Sequence, residues 1–156
     1  MTNARISPEA RLDELGIELP DPPALPFAAR LKPVVVHGGL VYLSGNGDLG
    51  CLGRVGDDVD VERAAVAART TAHLMCRSLR DELGSLDRVE RWLKVLVLVR
   101  SAPGFGDQPA VANGFSNAIA ELWGEDRGVC ARSAIGVAEL PDGLAVEVEA
   151  LVALAG

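Results

Sequence analysis

Aromatic residues are scarce in this chain: Trp, Tyr and Phe together make up 4% of its 156 residues. Ala, Val and Leu must therefore build the core, a composition that suits helices packed closely on a sheet. Positive charge is also in deficit. The formal net charge is −7, with Lys and Arg dispersed among acidic residues, which argues against the clustered cationic surface that binding to a phosphate backbone requires. No nucleic-acid partner is expected. Cys51, Cys76 and Cys130 are odd in number, far apart and without C-x-x-C spacing, so neither a disulfide framework nor a zinc knuckle is indicated. There is no N-terminal basic-apolar-cleavage pattern and no run of about 18 apolar residues. These absences predict a cytoplasmic protein with reduced thiols and no membrane span. Nor is there a Ser/His/Asp order, a G-x-x-x-x-G-K or a G-x-G-x-x-G, so kinase and dehydrogenase readings fall away and no cofactor is expected.

What is present reads as one α+β domain, with enough length to bury a core without staples. Ser7-Pro8-Glu9 has the pattern of an N-cap, a first-turn proline and an early acid, and Gly16 offers a stop, predicting a short helix over 8–15. Leu19 to Pro26 holds four of the nine prolines and is expected to be an extended linker. Residues 1–31 are thus read as an extension and 32–156 as the main domain. Val34-Val35-Val36 and Leu40 to Ser44 flank a glycine turn and predict a hairpin. After a turn-rich stretch, Asp60 caps a helical pattern that runs to Leu83 and closes at Gly84, with Ala64, Ala68, Met75 and Leu79 on one stripe. Trp92 to Val99 predicts a central strand buried on both faces. Gln108 to Trp123 predicts a second long helix. Ala131 to Ala138 and Leu144 to Leu154 read as two strands joined into a hairpin at Leu140-Pro141-Asp142-Gly143. The resulting order is ββαβαββ, a mixed sheet with both long helices on one face. The other face needs a cover, which predicts a homo-oligomer.

Arg132 is the residue most in need of explanation. It lies in the otherwise apolar run Cys130 to Val137, where a long cation needs an anion. A guanidinium on a rigid strand presents a planar fork that fits a small carboxylate, and a structural ion pair with Asp or Glu is an equal alternative. Glu147 and Glu149 share one face of the last strand. A partly desolvated carboxylate there could position or deprotonate water, and pairing with Arg or Lys across a subunit contact is the other outcome. If the final two strands form a hairpin centred on Asp142, Arg132 and Glu147 project to opposite sides, and a site using both draws on two chains. Ser44 opens the turn Ser44-Gly45-Asn46-Gly47-Asp48, which could surround a bound acid or simply end a strand. Asn113 could reach a ligand through its amide or act as a surface residue. His37 reads as a turn residue, and His73 with Cys76 is two ligands short of a metal site, so no metal is assigned. Cys130, with no His partner in sequence, reads as a packed thiol.

Three motifs in order, Val41-Tyr42-Leu43-Ser44-Gly45, Val111-Ala112-Asn113-Gly114, and Ala131-Arg132-Ser133-Ala134 followed by Leu140-Pro141 and Val146-Glu147-Val148-Glu149-Ala150, make the chain resemble the Rid/YjgF family. This family is also known as L-PSP endoribonucleases. The match spans roughly 32–154, and the extension resembles that of a longer YjgF-like subgroup. The resemblance implies a chorismate-mutase-like fold and a homotrimer with clefts between subunits. It implies hydrolysis of enamines and imines to 2-oxo acids and ammonia. By motif, Arg132 takes the role of carboxylate holder, Glu147 that of the water-positioning acid, and Ser44 and Asn113 those of cleft residues. The chain departs from the family pattern at Lys32-Pro33-Val34-Val35, which lacks the usual tyrosine, and at Gly136, where a glutamate is common. A non-catalytic carboxylate-binding trimer and a ribonuclease are the competing expectations, the last opposed by the charge and by the lack of aromatics for base stacking.

Overall fold

The computed structural model describes residues 5–24 and 30–156. Helix α1 spans Pro8–Leu15, with the Ser7 hydroxyl accepting from the Ala10 N–H at 3.1 Å and Gly16 closing it at φ 63°. The chain from Ile17 to Ala24 has no regular structure, as its prolines dictate. The last two residues of the expected linker, Leu25 and Pro26, lie outside the described residues. Strands β1 (Val34–His37) and β2 (Leu40–Asn46) form an antiparallel hairpin. Helix α2 (Val61–Leu83) begins at Asp60, whose carboxylate accepts from the Arg63 N–H at 2.7 Å, and ends at Gly84 with φ 83°. Strand β3 (Val89–Arg100), helix α3 (Gln108–Trp123), a short helix α4 (Glu125–Gly128), and strands β4 (Ala131–Val137) and β5 (Val146–Leu154) complete the order.

The sheet order is β1-β2-β5-β3-β4, with β3 parallel to β4 and antiparallel to β5. Both long helices pack on one face. Ala64, Ala68, Met75 and Leu79 of α2 are all buried there, opposite Val95, Val97 and Val99 of β3. Three of the six aromatic residues meet at one point of this core: Trp92 stands edge-on to Phe115 and to Trp123, with centroids 5.7 and 5.5 Å apart. Each such pair adds about 0.5–1.5 kcal/mol beyond burial. The extension is tied down by Leu12, which is buried in the core with Ile17 and Leu19 packed beside it, and by ion pairs. Glu9 pairs with Arg80 and accepts from the Leu86 N–H at 2.8 Å, and Asp21 pairs with Arg77 at 2.5 Å.

Two expectations are corrected. The final two strands are not a hairpin, because β3 lies between them. Pro141–Gly143 does make a tight 3-10 turn, but the segment from 138 to 145 carries the chain past β3 before pairing resumes. Strand β3 is central but one-sided: Val95, Val97 and Val99 are fully buried, whereas Leu96 and Leu98 are half-buried on the open face. That face also exposes Val35, Tyr42 and Ile135.

Candidate active site

Arg132 pairs in register with Val95, a residue buried under the helices, so its side chain leaves the sheet on the helix face. There its Nη1 donates to Asn113 Oδ1 at 2.9 Å and to Ser116 Oγ at 3.0 Å, both on α3. Arg132 makes no ion pair with any of the described residues, and its Nε and Nη2 have no acceptor among them. Two neutral oxygens therefore fix one corner of a half-buried guanidinium and leave its bidentate edge available. Helix α3 can hold Asn113 this close because the next residue is glycine: a Cβ on Gly114 would sit 1.9 Å from the Ala65 carbonyl oxygen of α2.

Glu147 pairs with Leu98 and Glu149 with Leu96, so both carboxylates stand on the open face. Arg132 and Glu147 do leave opposite faces of the sheet, but because of β3's pleat and not of a hairpin register. Beside Glu147, the β2–β5 register slips by one residue between Leu43 and Asn46. The resulting bulge turns Gly45 toward Glu147, so that a Cβ on Gly45 would lie 2.0 Å from Oε1. Glu147 has no hydrogen-bond partner among the described residues. Burial, and secondly the neighbouring Glu149, push its pKa above the ordinary carboxylate range. Its carboxyl opens into a cleft of about 380 Å³ whose walls include Pro22, Leu31, Leu49 and Leu144.

Ser44 is not beside Arg132. Its hydroxyl donates to the Lys32 carbonyl at 2.7 Å, and it lines a separate hollow on the open face with Tyr42, Lys94, Ser133 and Glu149. The turn after it is held by its own side chains, with Asn46 Oδ1 accepting from the Gly47 N–H and Asp48 Oδ1 from the Gly50 N–H. One chain thus unites Arg132 with Asn113, sets Glu147 against Gly45, and leaves these two groups apart.

No family model matches the chain. Protein TCP17 of Trypanosoma cruzi is 43% identical over 150 residues, covering 93% of this chain and 92% of that protein. Atu1372 of Agrobacterium tumefaciens, a solved structure of unknown function, superposes with TM-score 0.83 at 36% identity over 95% of this chain and 92% of that one. A provisionally named endoribonuclease from Shewanella oneidensis MR-1 gives TM-score 0.87 at 22% identity, over 95% and 99% of the two chains. RidA from an Antarctic Psychrobacter gives 0.55 at 22%, over 86% and 94%. The last two carry the fold, the first two carry near full-length kinship, and the three ordered motifs sit on that fold. The fold is that of the Rid/YjgF proteins.

Against the Rid/YjgF pattern, Gly136 now has a local cause. A Cβ there would sit 2.8 Å from Gln108 Nε2 and 3.0 Å from Ser101 Oγ, and Gln108 is occupied in closing the turn before α3 by donating to the Phe105 carbonyl at 2.9 Å. Burial raises the Cys130 thiol against the opposing pull of Arg132 and Lys94, which disfavours thiolate. Ser116 was not singled out by sequence. Its signal was the i, i+3 spacing from Asn113, which puts both on one face of a helix. The described residues contain no helix long and apolar enough to cross a membrane.

Proposed function

We propose that this chain is a Rid-like hydrolase of enamines and 2-imino acids, acting in a cleft completed by a second copy of itself. The observation that carries the reading is the Arg132 guanidinium: one corner is fixed by Asn113 and Ser116, and its bidentate edge has no partner among the described residues. A preorganised fork of this kind suits a carboxylate. Water adds to the imine carbon, and loss of ammonia leaves the 2-oxo acid. Glu147, with its raised pKa and no partner, is a better base than a solvated glutamate for orienting and deprotonating that water. Because Arg132 and Glu147 stand on opposite faces, the two half-sites come from neighbouring subunits, and the apolar open face supports a homotrimer as the assembly that joins them. In this reading 32–156 is the catalytic domain and 1–31 an extension whose described residues pack on it.

The test is ammonia release from freshly generated 2-iminopropanoate and longer imino acids. Arg132→Ala and Glu147→Gln should each lower kcat/KM by at least about tenfold, the loss expected of an oriented or charge-paired group; wild-type rates in Arg132→Ala would reject the proposal. A second reading, a carboxylate-binding trimer without turnover, is favoured by the separation of the two half-sites and by the absence of a tyrosine from the segment Lys32-Pro33-Val34-Val35. It predicts 2-oxo acid binding that is lost in Arg132→Ala, with no ammonia released. A ribonuclease, suggested by the name of the Shewanella structure, is opposed by the net charge of −7.

A further inference from the structure

We infer that the N-terminal extension selects the substrate's side chain: Pro22, Pro23, Ala24 and Leu31, facing Leu49 and Leu144, form an apolar wall around Glu147 that favours aliphatic imino acids over the smallest one. This rests on the reading that the Glu147 cleft receives the substrate.

The cleft's chemistry supports it. Among the described residues its polar side chains are Asn46, Asp142 and Glu147, and none of its described lining residues is a cation. A substrate carboxylate therefore does not belong at this end. What fits is the end bearing the imine nitrogen, whose N–H can meet Glu147, together with an uncharged side chain. The volume of about 380 Å³ is in the range of small-molecule pockets, roughly 300–1,000 Å³, and far larger than a methyl group needs. Leu31 and Leu49 are 49% and 50% exposed, and apolar surface so placed gains from being covered.

The wall is also held in place. Asp21, immediately before Pro22, pairs with Arg77 of α2, which is held in turn by Asp81 at 2.9 Å. Pro22 and Pro23, with fixed φ, then line the cleft beside Ala24. A wall fixed beforehand loses little freedom when a ligand packs on it.

Two series test this on the full-length protein. Calorimetry of 2-oxo acids with methyl, ethyl, propyl and isobutyl side chains should show affinity rising by about fourfold per methylene, and kcat/KM for the corresponding imino acids should rise in parallel. Leu49→Ala, and separately Leu31→Ser with Leu49→Ser, should flatten both slopes to below about twofold, with thermal melts checking that the variants are folded. Equal affinity across the wild-type series, or an unchanged slope in folded variants, would overturn the wall. Turnover without a slope removes the wall and leaves the hydrolase standing. A slope in binding without turnover removes the hydrolase and leaves the wall.

Discussion

Glu147 and Gly45 are matched across the β2 bulge: the glutamate's Oε1 occupies the space where a side chain at position 45 would begin, 2.0 Å from an ideal Cβ. The glycine is required by that carboxyl, not by its own backbone, which is not at positive φ. Gly45→Ala should therefore push the carboxyl out of place and cost about 100-fold in the proposed imine hydrolysis, the penalty of a misplacement near 1 Å. In a Glu147→Gln background the same substitution should cost little more, because the group it disturbs has already been lost. Steady-state rates of the two single variants and the double variant decide this.

The raised pKa of Glu147 makes stability depend on pH in a definite direction. Burial disfavours its charged form, so the folded state holds this proton more tightly than the unfolded chain, whose glutamates titrate near about 4.3. Stability from this site is complete below that value and is lost as pH rises through the folded pKa. Glu147→Gln, which cannot ionise, should be more stable than wild type at pH 7 and lose that advantage near pH 4. Urea melts at the two values measure it, and an advantage that grows toward low pH would contradict the assignment.

The helices were readable because their ends are chemical: Asp60, Gly84 and Ser7 cap where capping residues stand in the sequence. Strand positions were readable from apolar runs. Strand order was not. Leu140-Pro141-Asp142-Gly143 makes the local turn it promises, yet stepping past one strand needs only about 10 Å, which the residues from 138 to 145 span easily. Nothing in that turn reveals whether β3 is already paired beside it. The site was legible to a similar depth. Arg132 and Asn113 meet at 2.9 Å, whereas Ser44 turns to the Lys32 carbonyl, because alternation along β2 puts it on the open face, opposite Arg132, and that relation depends on a strand order the sequence does not print.

Gly136 faces Ser101 and Gln108 too closely for a side chain. Gly136→Ala should cost about 1 kcal/mol, the order of one lost hydrogen bond, by displacing the Gln108 amide from the Phe105 carbonyl. Since Gln108 is the flexible partner, Gln108→Ala should absorb most of that cost in the double variant. Denaturant melts of the four proteins give the coupling; strictly additive effects would mean that the close contact is not the cause.

Gly114 offers no such escape, because its neighbour is backbone. An added Cβ would fall 1.9 Å from the Ala65 carbonyl oxygen and 2.7 Å from its carbonyl carbon, so α2 and α3 would have to separate along the seam that buries Ala64, Ala68, Val111 and Phe115. Gly114→Ala gains helix propensity of about 1 kcal/mol, yet overpacking against an immovable carbonyl should outweigh it and leave a net loss of about 2 kcal/mol or more. For a chain of this size that is a fall in Tm of roughly 4–8 °C. The same separation moves Asn113 off the Arg132 guanidinium, so 2-oxo acid binding should weaken in the folded variant as well. A protein that keeps its Tm and its affinity would show that the helices do not meet at this residue.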